Sequence, residues 1–144
     1  MSIKQISVFL ENKPGMLENM TSLLAENKID IRALSLAEAE EFGIVRIIVN
    51  DVYDTMTVLK DHDFVCKITP VVAVAIPDEP GGLDNVLKAL KKHEINIKYM
   101  YAFLDAYDKD KAYMIFKVED EQAAAGALKK ENIKVIDEED IFKD

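Results

Sequence analysis

The sequence predicts an α+β chain of two ferredoxin-like units in tandem. Each is a β-α-β-β-α-β run that folds as a four-stranded antiparallel sheet with both helices on one face. Three observations predict it. Asn12-Lys13-Pro14-Gly15-Met16-Leu17 returns, altered, as Asp78-Glu79-Pro80-Gly81-Gly82-Leu83, at a constant offset (80 − 14 = 66 and 81 − 15 = 66). Both times the Pro-Gly pair ends an alternating apolar run and opens one with helical spacing. The copies then stay in register without a gap through Asn19/Asn85, Leu24/Leu90, Ile29/Ile95 and Ile31/Ile97. The unit boundaries follow as 1–69 and 70–144.

Ile6, Val8 and Leu10 alternate with Gln5, Ser7 and Phe9, the period of a strand. After Pro14-Gly15, residues Leu17, Met20, Leu23 and Leu24 fall on one helical face, and Asn27-Lys28 marks the helix end. Ile29 and Ile31 open a second strand running through Leu34 and Leu36. Glu40 to Gly43 is the turn, and Ile44 to Val49 is a β-branched third strand. Asn50-Asp51 caps a second helix with Val52, Met56 and Leu59 inward. Val65 to Thr69 closes the unit, and Pro70 separates it from the next.

Val71 to Ile76 restarts the order, and Leu83, Val86, Leu87 and Leu90 form the next helix face. Ile95 and Ile97 open a strand carrying Tyr99, Tyr101 and Phe103 on one side. Asp105 to Lys111 reads as a hairpin turn and Tyr113 to Val118 as its returning strand. Asp120 starts an Ala-rich helix, Ile133 to Ile136 closes the unit, and Asp137 to Asp140 reads as a solvated acidic tail.

The formal net charge is −9 and the calculated pI about 4.7, which disfavours a phosphate backbone as partner, so no nucleic acid is expected. No apolar run approaches the roughly 20 residues of a membrane span, so no membrane association is expected. Cys66 is the single cysteine and the N-terminal residues enter a strand directly, so a cytoplasmic location is expected. His62 and His93 lack the neighbours a metal site needs and read as surface helix residues; neither a metal nor a cofactor is expected. No Ser-His-Asp set, glycine-rich phosphate loop or carboxylate pairing appears, so no catalytic residue is assigned.

The chemistry of the chain concentrates at the Pro-Gly corners. The first N–H groups of a helix have no internal acceptor and carry the positive end of its dipole, so a carboxylate is a natural guest there. Gly15, Gly81 and Gly82 admit a ligand close to the main chain. Asn12 and Asp78 precede the corners, and Asp30 and Asn96 begin the second strand of each copy; their oxygens can accept from an ammonium group. Together these parts suit a zwitterion. Read without a ligand, Pro-Gly between strand and helix is a turn and Asn or Asp before a strand is turn chemistry.

Asn12-Lys13-Pro14-Gly15-Met16-Leu17 with Asn27-Lys28-Ile29-Asp30-Ile31 resembles the ACT-domain signature. So does Asp78-Glu79-Pro80-Gly81-Gly82-Leu83 with His93-Glu94-Ile95-Asn96-Ile97. The resemblance covers the whole chain as two units, and implies a free amino acid bound between paired domains and regulation of a separate enzyme of amino-acid metabolism, usually as a homodimer. By position it assigns ligand binding to Asn12, Pro14, Gly15, Met16, Leu17, Asp30 and Ile31, and to Asp78, Pro80, Gly81, Gly82, Leu83, Asn96 and Ile97. Each copy departs from the signature once, with Asp30 in the first and Asp78 in the second where Asn is commoner. If loop and strand positions of opposite copies meet, Asn12 faces Asn96 and Asp78 faces Asp30, which predicts two unequal sites. Two alternatives stand beside this: a structural or partner-binding module without a ligand, and a small acylphosphatase-like enzyme. The enzyme is disfavoured because the arginines, Arg32 and Arg46, lie in strands and not in the first loop.

Overall fold

A computed structural model of the chain describes residues 3–103 and 110–141. It divides into two compact units at Thr69/Pro70, with Ile3 grouped with the second. The first unit holds β1 (Ile3–Glu11), α1 (Met16–Glu26), β2 (Ile31–Ala39), β3 (Phe42–Val49) and α2 (Val52–Asp61), and ends in the first part of β4 (Val65–Pro77). The second holds the rest of β4, α3 (Gly82–Lys92), β5 (Ile97–Ala102), β6 (Lys111–Val118), α4 (Glu121–Lys130), β7 (Lys134–Ile136) and α5 (Glu138–Ile141). The strand order in the first unit is β2-β3-β1-β4; in the second it is β5-β6-β4-β7. Both are the split β-α-β order expected of a ferredoxin-like unit.

The alternating apolar residues do what their period demands. Ile6 pairs with Ile47 and Val8 with Val45 in the antiparallel β1–β3 ladder, and all four are buried with Met20, Leu23 and Leu24 of α1. In the second unit Val72, Val74 and Ile76 of β4 join Phe116 and Val118 of β6 under Val86 and Leu90 of α3 and Leu128 of α4.

The polar partners of that alternation are not solvated, however. Gln5 and Ser7 are buried, with Gln5 Nε2 donating to Ser7 Oγ at 3.0 Å and Ser7 Oγ 3.4 Å from Thr69 Oγ1. Val71, Ala73 and Ile115 are likewise buried on the strand face opposite Val72, Val74 and Phe116. A buried polar group costs free energy unless it is bonded, and here the side chains bond one another.

Pro70 does not separate two strands. β4 is one strand of 13 residues running through it. Proline's φ is compatible with extended backbone, and its missing N–H costs a ladder bond only where one is required. The β4–β6 register begins at Val72, so Pro70 precedes that ladder, and its carbonyl accepts from Lys117 Nζ at 3.3 Å. The acidic stretch also differs from a simple solvated tail. Glu138–Ile141 is one helical turn, with Asp137 N donating to Asp140 Oδ2 at 3.0 Å. The turn expected over Asp105 to Lys111 lies largely outside the described residues; Lys111 itself opens β6. Tyr99 and Tyr101 stack at 6.5 Å on the face of β5 opposite Met100, which packs on the helix-side core.

Ile29 and Ile95 belong to helix ends and not to the strands they were expected to open. Ile29 N donates to Leu24 O at 2.9 Å and Lys28 N to Ala25 O at 3.1 Å, while Lys28 has φ 58°. That is a Schellman ending. It recurs at Asp63 (φ 65°), Glu94 (φ 58°) and Asn132 (φ 60°), with Phe64, Ile95 and Ile133 bonding back to Leu59, Leu90 and Leu128. Lys28 and Glu94 therefore occupy a left-handed backbone that glycine adopts without strain. Lys28→Gly and Glu94→Gly are each expected to stabilise the protein by about 1 kcal/mol, read as a raised urea midpoint with unchanged slope.

Candidate functional site

Each Pro-Gly corner is a type II turn followed at once by a helix. In Lys13-Pro14-Gly15-Met16 proline presets the second position and Gly15 takes φ 88°, ψ −12°; Met16 N reaches Lys13 O at 3.4 Å. In Glu79-Pro80-Gly81-Gly82 the same bond, Gly82 N to Glu79 O, is 3.0 Å, and Gly81 has φ 86°, ψ −8°. Gly15 and Gly81 are needed for that positive φ. A Cβ on either would meet no atom within 4 Å. Gly82 is different. A Cβ there would collide with the Pro77 carbonyl oxygen, so the chain's own packing requires its bareness.

The helices behind these corners are the uncapped ones. Asp51 caps α2 through Asp54 N at 2.9 Å, and Asp120 caps α4 through Ala123 N at 3.0 Å. α1 and α3 receive no side-chain cap. Their first turns carry Glu18, bonded by Ser22 Oγ at 2.9 Å, and Asp84, paired with Lys88 at 2.9 Å. The first-turn N–H groups of α1 and α3 are thus donors without a side-chain acceptor, at the positive end of a helix dipole.

Asn12 is tied into the first corner. Its backbone N donates to Glu41 O at 2.8 Å and its Nδ2 to Glu40 O at 3.0 Å, which fixes the corner against the β2–β3 turn and leaves Oδ1 as the accepting atom. Asp78 repeats only the backbone half, with N to Asp110 O at 2.9 Å, because a carboxylate has no proton to donate. Asp30 precedes β2, with its N bonded to Asn50 Oδ1 at 3.1 Å and its carboxylate 3.0 Å from Arg32 Nη1. The arginine partner compensates a charge that the sequence reading treated as free. Asn96 borders a shallow hollow of about 430 Å³ with Leu87, Lys91 and Glu94. Ile31 and Ile97 pack against the two cores.

Within a unit these parts do not converge. α1 has 11 residues, so the corner at its start and Asp30 beyond its end stand about 16 Å apart; α3, also 11 residues, separates Gly81 from Asn96 equally. Corner and strand opening of one unit cannot touch the same small molecule.

One expectation for another side chain changes. His93 is half-buried, with Nε2 3.2 Å from Glu131 Oε1, which also accepts from Lys92 Nζ at 2.9 Å; it bridges α3 to the end of α4 and is not a free surface residue. The Lys92 ammonium first, and His93 second, hold the Glu131 carboxyl below its ordinary value. A depressed carboxyl stabilises the fold above its unfolded pKa and loses that contribution as pH falls through the lower folded value. Glu131→Gln is therefore expected to narrow the difference in melting temperature between pH 7 and pH 3, the loss being at pH 7. Burial pushes the Cys66 thiol up, against the smaller opposing effect of Lys60, so it is protonated at neutral pH. Among the described residues no cluster of three or more His, Cys, Asp or Glu could hold a metal ion, and no helix is long and apolar enough to cross a membrane.

The family model described as an ACT domain pair matches residues 1–143. The chain belongs to that family. Among solved structures, protein BT0572 from Bacteroides thetaiotaomicron is 35% identical with a TM-score of 0.91, covering 99% of this chain and 97% of that one. The ligand-free regulatory subunit of aspartate kinase from Thermus thermophilus is 16% identical, with TM-score 0.66 over 88% of this chain and 91% of that one. The corresponding subunit from Thermus flavus is 16% identical, with TM-score 0.61 over 88% and 90%. At that identity the two kinase subunits show a shared fold. No curated protein matches the chain. ACT pairs are regulatory modules that usually bind small ligands.

Basic residues of the second unit escaped the sequence reading. Lys88, Lys92, Lys111 and Lys134 line one groove of about 500 Å³. They come from three separate elements, α3, β6 and β7, so no local spacing could have announced them.

Proposed function

We propose that this ACT pair binds a free amino acid and through it regulates a separate enzyme of amino-acid metabolism. The observation that carries the reading is the contrast in capping: α2 and α4 have aspartate caps, while α1 and α3, behind the Pro-Gly corners, have none. A ligand carboxylate takes the first-turn amides of α1 or α3 beyond Met16 N and Gly82 N, which themselves bond Lys13 O and Glu79 O. Asn12 Oδ1, Asn96 and the Asp78 and Asp30 carboxylates are the acceptors for its ammonium. Because corner and strand opening of one unit are about 16 Å apart, a complete site takes one from each of two ACT units, which supports a homodimer or an equivalent pairing. A partner enzyme then senses the difference in ligand affinity between two arrangements of the units.

Thermal unfolding of the full chain with each common amino acid in turn tests this. A ligand at about 100 times its Kd adds roughly 2.7 kcal/mol, a shift of several degrees at this size. One or two amino acids are expected to give that shift, and Asn12→Ala or Asn96→Ala to abolish it; no shift with any of them overturns the reading. Calorimetry is expected to find unequal affinities at the two sites, since Asn12 and Asp78 differ and Arg32 has a lysine, Lys98, as its counterpart. A second reading, a ligand-free oligomerisation module, is favoured by the exposure of Leu36, Phe42 and Val65 in the first unit (55%, 53% and 67%). It predicts concentration-dependent assembly with no amino-acid response.

A further inference from the structure

We infer that two copies of this chain pair through β2 of the first unit, antiparallel and in a register centred on Ser35. β2 ends the strand order, so among the described residues its outer edge has no strand beside it. With nine residues it exceeds the other outer strands, β5 with six and β7 with three. An open edge of that length is a template for another strand unless a proline, a lysine or a bulge blocks it. β2 contains neither proline nor lysine. Its one register shift lies between Ile31 and Ala33, and the ladder to β3 is regular from Ala33 to Ala39. Leu36 sits across from Val45, on the core side of the sheet, yet is 55% exposed at this edge. Its neighbour on that face, Leu34, packs against the first-unit core.

The edge is complementary to itself. Setting Ser35 opposite the partner's Ser35 puts Leu34 opposite the partner's Leu36 and Arg32 opposite the partner's Glu38, each contact made twice (34 + 36 = 32 + 38 = 70). Leu34, Leu36 and Glu38 lie across from Ile47, Val45 and Gly43, on the face that carries the helices, so the apolar layer continues from one copy into the next. Slipped pairings lose this. Centring on Leu34 sets Asp30 against the partner's Glu38, and centring on Leu36 sets Leu34 against it. Arg32 Nη1 already meets Asp30 Oδ2 at 3.0 Å, and a guanidinium fork can serve two carboxylates at once. Duplication does not account for the pattern. At the offset of 66 the second unit has Lys98, Met100, Ala102 and Leu104 in these places, without the acid.

Resting on the amino-acid reading, the same register completes a site. Asn12 is bonded to Glu40 and Glu41 at the Ala39 end of β2. The partner's Ile31 lies across from Ala39 (31 + 39 = 70), which brings the partner's Asp30 beside the first corner. There it also meets Glu40, a like-charge contact that a ligand ammonium relieves, so the amino acid is expected to tighten the pair.

The test is sedimentation equilibrium of the full chain without added amino acid, joined to cross-linking in a Cys66→Ala background. A dimer is expected, weakened at least about fivefold by Glu38→Arg, which sets two arginines against each other at both ends of the pair. Ser35→Cys is expected to form an interchain disulfide under mild oxidation, because directly opposed residues of antiparallel strands bring their Cα atoms about 4.5–5.5 Å apart. Lys98→Cys, on the β5 edge, is expected not to. A monomer at every concentration, an undiminished dimer in Glu38→Arg, or linkage through Lys98→Cys in place of Ser35→Cys overturns the proposal. A dimer linked through Ser35→Cys in a chain that shows no amino-acid thermal shift upholds this pairing and fails the amino-acid reading alone.

Discussion

Gly82→Ala is expected to destabilise the protein by about 2–3 kcal/mol, a large effect for one methyl group at a chain corner. The added Cβ collides with the Pro77 carbonyl oxygen. That carbonyl cannot simply withdraw, because it accepts from Glu79 N at 3.0 Å, and Glu79 O in turn accepts from Gly82 N at 3.0 Å. Relieving the clash means opening the type II turn. The first corner shows the opened form: Met16 stands where Gly82 does, and its turn bond has lengthened to 3.4 Å. Met16→Gly is accordingly expected to change stability far less than Gly82→Ala. Gly15→Ala and Gly81→Ala fall between, since their Cβ meets open space and only the positive φ is strained, at about 1–2 kcal/mol. Urea unfolding of the four variants orders these costs. Gly82→Ala also displaces the first amides of α3, so any amino-acid shift that depends on the second corner should fall with it.

The fold was legible because its signals are local and repeated. Period-two runs around Val8 and Val74, helical spacing from Leu17 and Leu83, and Pro-Gly between them are each short-range instructions, and duplication states them twice. Pro70 misled for a physical reason. A proline reads as an end to a strand, but here it falls ahead of the β4–β6 ladder, where its missing N–H removes no bond of that ladder. The burial of Gln5 and Ser7 was illegible because a polar residue in an alternating strand reads as solvated, and only tertiary structure shows that both faces are covered.

The candidate site was legible in its parts and not in its charges. The positions of Asn12, Gly15, Asp78 and Gly81 follow from the corner motif. That Arg32 holds Asp30, or that Asn12 spends its amide on Glu40, depends on contacts between elements. The groove along α3 is the extreme case, lined by residues up to 59 positions apart (134 − 75).

Phe116→Ala is expected to cost about 3–5 kcal/mol, the usual range for emptying a fully buried aromatic site. Phe116 is among the largest fully buried side chains, packed among Val72, Val74, Leu90 and Leu128 in the second unit. A chain of 144 residues has a stability on the order of 7–22 kcal/mol, so the loss is a substantial part of the whole. How it is distributed tests the division at Thr69/Pro70. β4 contributes Val65–Thr69 to one unit and Val71–Pro77 to the other without interruption, so loss of the second unit removes the continuation of a strand that the first unit needs. A single unfolding transition is therefore expected, lowered by roughly 10 °C, with amide exchange accelerated at Leu24 in α1 as well as at Leu128 in α4. Two transitions, with Leu24 still protected while Leu128 exchanges, would mean that each ACT unit folds on its own half of the strand.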